Sequence, residues 1–225
     1  MRRSSRLWVV LAAAVAAVVL VVGLSGCKSD AQKASDAVSD VLASYVVPVP
    51  DEDGKMPEDP AWPAADFGDA ATMEALAPYG VSADEWHEHC FKNFSYEMGE
   101  ATVDGDTATV SVTVTNTSLA VAVEAAGSDF DAFSKGSDAQ DTYKQGGKAA
   151  LFSKLVSYVY QHLDANESPA TTTVDVTCTK DDEGNWVPQV SGNEALFSAL
   201  YGGSDVVAGL GAAADAADAG AETGE

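Results

Sequence analysis

Two segments of the chain alternate strictly between apolar and polar residues. Residues 107–115 place an alanine and three valines at every second position, and residues 173–179 repeat the pattern. A period of two residues buries one side of a strand and exposes the other, so the pattern predicts an antiparallel sheet with one covered face. Asp104 and Gly105 precede the first segment and are a strong signal for a tight turn. Residues 94–103 are therefore its predicted partner, and the two strands form a hairpin.

A second hairpin is predicted around the other alternating segment. Two valines and Cys178 would face the core there, and residues 181–185 are rich in turn-forming residues. Residues 186–190 then return as the second strand. Pro188 has no N–H group to donate, which confines this returning strand to an edge of the sheet.

Apolar residues at helical spacing predict the helices around the hairpins. Residues 30–45 carry Ala34, Val38 and Leu42 on one stripe, behind a serine that can cap the first turn. Residues 119–133 are ambiguous and are expected to be helical in part. The order of elements favours an α+β fold, in which helices pack on one face of a curved four-stranded antiparallel sheet. The other predicted helices are residues 69–77, 83–93, 149–163 and 194–201.

Composition sets the limits of this domain. Residues 47–66 hold five prolines among six acids and are predicted to form an extended loop, because proline denies a helix both its donor and its space. Residues 204–225 are rich in alanine, with five acids and no base, and are expected to be disordered or loosely helical. Residues 27–203 are left as a single domain.

The N-terminus has the pattern of an export signal. Three arginines among the first six residues precede the uncharged residues 7–23, and Leu24-Ser25-Gly26-Cys27 follows. A basic start, an apolar stretch and small residues at a cleavage site are typical of a secretory signal. The last four residues resemble the lipobox of bacterial lipoproteins, which implies cleavage after residue 26 and lipid attachment to Cys27. The alternative is an uncleaved transmembrane helix, since the apolar stretch is only slightly shorter than a bilayer requires.

Charge excludes one class of function. The chain from residue 27 onward has nine lysines, no arginine and 35 acids, a net charge of −26. A nucleic-acid-binding protein needs basic surface to neutralise phosphates, so that class is excluded. The acidic excess is expected to serve solubility and to repel the domain from an anionic membrane surface.

Two cysteines, Cys90 and Cys178, remain besides the lipidated one. Thiols outside the cytoplasm can be oxidised, so an even pair favours a disulfide. Two buried free thiols are the alternative.

The side chains that could carry chemistry do not form a known motif. His87 and His89 are two residues apart on a predicted helix and point in different directions, so they do not predict a metal site. The acidic loops at residues 51–54 and 181–184 lack the glutamate that closes a calcium loop. The sequence also lacks the serine signatures of common hydrolases. We therefore expect a non-enzymatic protein without cofactor or metal.

A wider resemblance rests on the capped first helix with Ala34, Val38 and Leu42 and on residues 94–110. With the lipobox, these resemble small Gram-positive and actinobacterial lipoproteins with a cystatin-like, or nuclear-transport-factor-like, domain. The resemblance implies helices wrapped around a curved sheet to form a cone whose mouth can hold a ligand. Tyr96, Tyr158 and Trp186 are the candidate rim of such a pocket.

Three functions fit these features. The first is a non-enzymatic ligand-binding or accessory module at the cell surface, held on the membrane by lipid. The second is a structural lipoprotein that contacts another envelope protein through its acidic surface and proline-rich loop. The third is a small hydrolase or isomerase, which requires a carboxylate buried among apolar residues with a raised pKa. Asp175 and Glu97 are acids on predicted strands, but Asp175 is out of phase with the core-facing valines.

Overall fold

The computed structural model describes residues 28–58, 61–62 and 65–204. Its centre is a four-stranded antiparallel sheet in which the strands neighbour one another in chain order, which confirms the predicted α+β fold. The first hairpin turns at Gly105, whose φ of +60° suits glycine. The strands are β1 (Ser95–Asp104), β2 (Thr107–Thr117), β3 (Pro169–Lys180) and β4 (Trp186–Pro188).

Six α-helices and one short 3₁₀ segment, Ala77–Tyr79, accompany the sheet in the described part of the chain. The predicted helices are present, and the ambiguous segment after β2 is helical throughout, from Leu119 to Ser134. The fifth helix begins at Ser137, twelve residues before its predicted start. The helices are α1 (Asp30–Ala43), α2 (Ala70–Leu76), α3 (Ala83–Phe91), α4 (Leu119–Ser134), α5 (Ser137–Ala165) and α6 (Glu194–Leu200).

The core lies between one face of the sheet and helices α1, α3 and α6. Val110, Val112 and Val114 of β2 are fully buried, as the alternating pattern predicts. Ala34, Val38 and Leu42 of α1 are at most 1% exposed, and the Ser29 hydroxyl accepts the Gln32 N–H at 3.2 Å as the helix cap. Burial of this stripe, rather than helix propensity, holds α1 on the sheet.

The opposite face of the sheet is open to solvent. Threonines of β2 and β3 lie side by side there, and their hydroxyls are hydrogen-bonded across the strands at 3.0 Å for Thr113 and Thr173. Thr115 and Thr171 form the equivalent pair at 2.9 Å. Polar cross-strand pairs of this kind stabilise a wet sheet face without covering it.

Helices α4 and α5 form a hairpin that extends beyond the core. Helix α5 is kinked at Gly147, whose φ of 62° and ψ of −147° are essentially restricted to glycine. Within residues 127–150, which we call the hairpin tip, Ala139 is the only buried residue. The tip therefore contributes little to the core.

The two ends of the sheet differ in what they carry. Lys180, at the end of β3, is paired with Asp30 at the first turn of α1, at 2.9 Å. At the other end, the Leu119 N–H of α4 donates to the Tyr201 carbonyl at 3.2 Å. The eleven residues of β2 span about 33 Å between these ends, so the start of α1 and the root of the hairpin lie at opposite ends of the sheet.

Some predictions fall outside the described residues. The export signal, Cys27 and residues 205–225 are among them. Among the residues that are described, no helix combines the length and the apolar composition needed to cross a bilayer.

Candidate functional site

The space behind the sheet, where a cone-shaped pocket was expected, is filled by side chains. Trp86 and Phe91 of α3 and Tyr45 after α1 are each at most 1% exposed. Phe91 stacks on Tyr45 with ring centroids 5.5 Å apart and packs edge-on against Tyr201 at 5.4 Å. Such aromatic packing leaves these side chains as core rather than as the lining of a pocket.

The three candidate rim residues do not come together. Tyr96 and Trp186 belong to β1 and β4, the two opposite edges of the sheet, and Tyr158 lies on α5. The Tyr96 hydroxyl is within 3.2 Å of the Ser39 hydroxyl, Tyr158 packs beneath the Lys154 ammonium, and Trp186 is buried under Lys180. Each therefore has a separate structural role. Tyr96 and Trp186 cannot line one pocket, because the strand order places β1 and β4 at opposite edges of the sheet.

The disulfide prediction is wrong, because Cys90 and Cys178 are both free and buried. Cys178 is paired with Ala108 near the start of β2, whereas the Cys90 carbonyl accepts the Asn116 side chain near its end, at 3.0 Å. Eight residues of strand separate those two neighbours, about 26 Å. A disulfide requires Cα atoms within about 7 Å.

Neither thiol is prepared for nucleophilic chemistry. Burial raises the pKa of Cys90 well above its ordinary value, and the nearby Asp69 carboxylate raises it further. Burial also raises the pKa of Cys178 to about 11. The thiolate is the nucleophile of cysteine enzymes, so both side chains stay in the unreactive form.

The three histidines each pair with a different carboxylate. His89 contacts Asp164 at 2.7 Å, and His162 contacts Asp129 at 2.8 Å, a hydrogen bond that raises the pKa of His162. His87 is buried, and its Nε2 lies 2.9 Å from the Asp69 carboxylate. Within the described ranges, no three histidine, cysteine or carboxylate side chains are grouped as metal ligands.

The two acidic loops are ordinary turns. The Asp181 carboxylate accepts the N–H groups of Asn185 and Glu183 at 2.8 and 3.0 Å, and these hydrogen bonds lower its pKa. Asp51 accepts the N–H groups of Lys55 and Asp53 in the same way. The acids at these positions close their own turns, as aspartate commonly does.

One group of buried polar side chains links three distant parts of the chain. The Asp69 carboxylate lies 2.9 and 3.1 Å from His87 Nε2 and accepts the Tyr201 hydroxyl at 2.9 Å. Asp69 is 4% exposed, His87 8% and Tyr201 3%. The Phe67 ring covers the imidazole at a centroid distance of 3.6 Å. We call these three polar residues the Asp69 cluster.

The Asp69 cluster fits a structural role best. A buried carboxylate is costly unless donors satisfy it, and here a hydroxyl and an imidazole do so. The partners come from α3 and from the residue after α6, so the cluster ties both elements to the start of α2. The nearest thiol, Cys90, is kept protonated, and Phe67 closes the ring face of His87.

The two strand acids are not buried. Asp175 is opposite Ser111 and Glu97 is opposite Thr113, all on the threonine-bearing face of the sheet. Both carboxylates are exposed to solvent. They lack the buried, apolar surroundings that the hydrolase or isomerase hypothesis requires.

The hairpin tip carries an apolar groove of about 410 Å³. Phe130 of α4 and Tyr143 of α5 form its sides, and Leu151 closes it just beyond the kink at Gly147. Tyr143 is 54% exposed, and it is the one aromatic residue among the exposed large hydrophobic residues of the described chain. The other residues that line the groove are Ser134, Ala139, Gln140 and Lys144.

Charge is distributed unevenly between the hairpin and the rest of the protein. Residues 119–165 contain four lysines and six acids, a net charge of −2. Residues 27–118 and 166–225 together contain five lysines and 29 acids, a net charge of −24. Lys135 and Lys144 are paired with Asp131 and Asp141 within the tip. The groove therefore lies in a nearly neutral region of a strongly acidic protein.

The sequence analysis missed the burial of His87, although the sequence carries a signal for it. His87 stands four residues before Phe91, on the buried side of α3, and that spacing indicates burial. Asp69 and Tyr201 gave no local signal, because their partners are 18 and 132 residues away in the chain.

Comparison with known proteins adds little to this description. No protein-family model matches the chain, and no curated protein matches it in sequence. Among solved structures, the chain is similar to a candidate lipoprotein (ycdA) from Bacillus subtilis, with a TM-score of 0.45 and 20% sequence identity. The similarity covers 75% of this chain and 56% of the other, so the chain spans little more than half the length of that protein. The cystatin-like resemblance stays a prediction.

Proposed function

We propose that this protein is a non-enzymatic binding or accessory module, held by lipid on the outer face of the bacterial membrane. The α4–α5 hairpin is the surface through which it contacts its partner. The observation that carries the proposal is the apolar groove at the hairpin tip, beside the exposed Tyr143. A concave, largely apolar recess with a few polar groups at its edge is the usual form of a binding site.

The lipid anchor is inferred from the sequence. The uncharged leader ends in the lipobox-like residues 24–27, and α1 begins at Asp30, only three residues after Cys27. Such a short connection keeps the domain near the membrane. Two acyl chains give stable attachment, whereas a single chain binds only marginally.

The geometry of the domain favours the hairpin over the interior as the binding surface. The residues behind the sheet are tightly packed, so a ligand there would have to displace Trp86 or Phe91. The hairpin root, in contrast, lies at the end of the sheet opposite the start of α1. With the anchor at one end of the sheet, the hairpin extends from the other end, where a partner can approach it.

Site-specific photocrosslinking in intact cells tests this proposal. A photoreactive residue replaces Tyr143 in the groove, and in a matched control it replaces Thr173 on the open sheet face. We expect a reproducible adduct from position 143 and none from position 173. Phe130→Ser in the same chain should weaken the adduct, because it removes one side of the groove. Equal labelling from both positions would contradict the proposal.

A further inference from the structure

We infer that the partner of the hairpin groove is a second copy of this chain, so that two hairpins pack together as a four-helix bundle. This inference rests on the proposed function and specifies the partner of the same surface. Tyr143 lines the groove and is also exposed. The same surface therefore supplies an aromatic side chain that can insert into the partner copy and a groove that can receive the partner's side chain. A two-fold symmetric interface needs such a self-complementary surface.

The distribution of charge supports a second copy over a cationic partner. A cationic protein would be drawn to the body of the domain, where residues 27–118 and 166–204 carry five lysines and 24 acids, a net charge of −19, rather than to the nearly neutral hairpin. Two copies that approach through their bodies repel each other. They meet the least repulsion at the hairpin, where each copy carries only −2. The same charges that keep the bodies apart therefore direct the copies to this contact.

The tip also has polar groups that suit pairing with itself. Lys135 and Lys144 alternate along it with Asp131 and Asp141, and Lys148 lies just past the kink. Both pairs are formed within one copy, so they leave little unpaired charge to oppose a symmetric contact around Tyr143. Aromatic residues at the centre of an interface contribute most of its binding energy.

Attachment to a membrane would favour this association. Confinement raises the effective concentration of the two copies, so a weak contact can become populated without additional contacts. The hairpin is a modest surface, and confinement compensates for its size.

Crosslinking of the full-length lipidated protein in phosphatidylcholine vesicles tests the inference. Gln140→Cys places a thiol in the groove, and Thr173→Cys places the control thiol on the open sheet face. Cys90 and Cys178 are buried and do not compete for a maleimide reagent. We expect a short bismaleimide to join two chains through position 140. Tyr143→Ser in that background should lower the yield about tenfold, the effect of losing one interface anchor.

Two outcomes would overturn the inference. One is an equal dimer yield from positions 140 and 173, and the other is a yield that Tyr143→Ser leaves unchanged. The proposed function is tested separately by the photocrosslinking in cells. An adduct from position 143 with a different envelope protein, without a homodimer, would retain the function and refute the second copy as partner.

Discussion

Replacing Tyr201 by phenylalanine removes a single hydroxyl from the Asp69 cluster and should destabilise the fold markedly. The hydroxyl donates to the Asp69 carboxylate at 2.9 Å, and both residues are at most 4% exposed. A hydrogen bond to a charged group contributes about 1.5–3 kcal/mol, and removal of the donor leaves the buried carboxylate with one partner fewer. Phenylalanine keeps the ring contact with Phe91, so the change removes only the hydroxyl and its contacts, which also include the Phe67 carbonyl at 3.4 Å.

We expect the free energy of unfolding to fall by about 2 kcal/mol. For a domain of this size that corresponds to a decrease in Tm of about 4–8 °C. In urea, with a slope of about 2 kcal/mol/M, the midpoint should move by about 1 M without a change in slope. Tyr143→Phe is the matched control, since this tyrosine is 54% exposed, and it should stay within about 0.5 kcal/mol of the parent.

A double-mutant cycle separates the hydrogen bond from general packing effects. Asp69→Asn alone removes the charged acceptor, and the combination with Tyr201→Phe measures the coupling between the two side chains. Groups in direct contact couple by about 0.5–3 kcal/mol. A loss below about 0.5 kcal/mol for Tyr201→Phe, or a coupling near zero, would refute the structural role that we assign to the cluster.

Three further predictions concern the anchor, the hairpin and the alkaline limit of stability. Cys27→Ala should release the protein from the membrane or leave an unprocessed precursor, with the domain folded in either case. Cell fractionation and intact-mass measurement test this outcome. A variant that is correctly cleaved and still bound to the membrane would contradict the lipid anchor. Gly147→Ala should lower the local stability of the hairpin by about 1–3 kcal/mol, because the φ of 62° and ψ of −147° strain any residue other than glycine. Hydrogen exchange of the hairpin amides measures the loss. Gly127→Ala, where an added Cβ meets nothing within 4 Å, is the control that should not destabilise the hairpin. Burial raises the pKa of Tyr45, Tyr160 and Tyr201. Their contribution to the free energy of unfolding should therefore be fully present below pH 10.0, the ordinary tyrosine pKa, and be lost as the pH rises above it. Urea unfolding at each pH measures the loss, tyrosinate absorbance follows the accompanying ionisation, and a constant free energy of unfolding would contradict the burial of these side chains.

The sheet could be predicted because its information is local. Each strand of the central pair repeats a two-residue period, and Asp104-Gly105 fixes the first turn. The stripe of α1 is equally local. By contrast, residues 119–133 combine alanine and valine around the whole helix, and without one polar face the periodicity did not decide their structure. Packing against α5 settles it.

The polar interior could not be predicted in the same way. Whether an acid such as Asp69 is buried depends on donors that arrive from elsewhere in the chain, and its two partners lie on α3 and beyond α6. The cysteine prediction failed for a related reason. Number and compartment favour a bridge, but only the fold determines that Cys90 and Cys178 lie at opposite ends of the sheet.

Stability and binding are assigned to different parts of this molecule, and that separation supports the proposed function. The core and the Asp69 cluster hold the sheet to α1, α3 and α6, whereas the hairpin tip buries only Ala139. Tyr143 leaves more than half of its side chain exposed, and the glycine at position 147 allows α5 to bend next to the groove without strain. Both features are explained if the tip is shaped to contact another molecule. Tyr143→Ser should therefore lower association about tenfold and leave the unfolding midpoint of the domain unchanged.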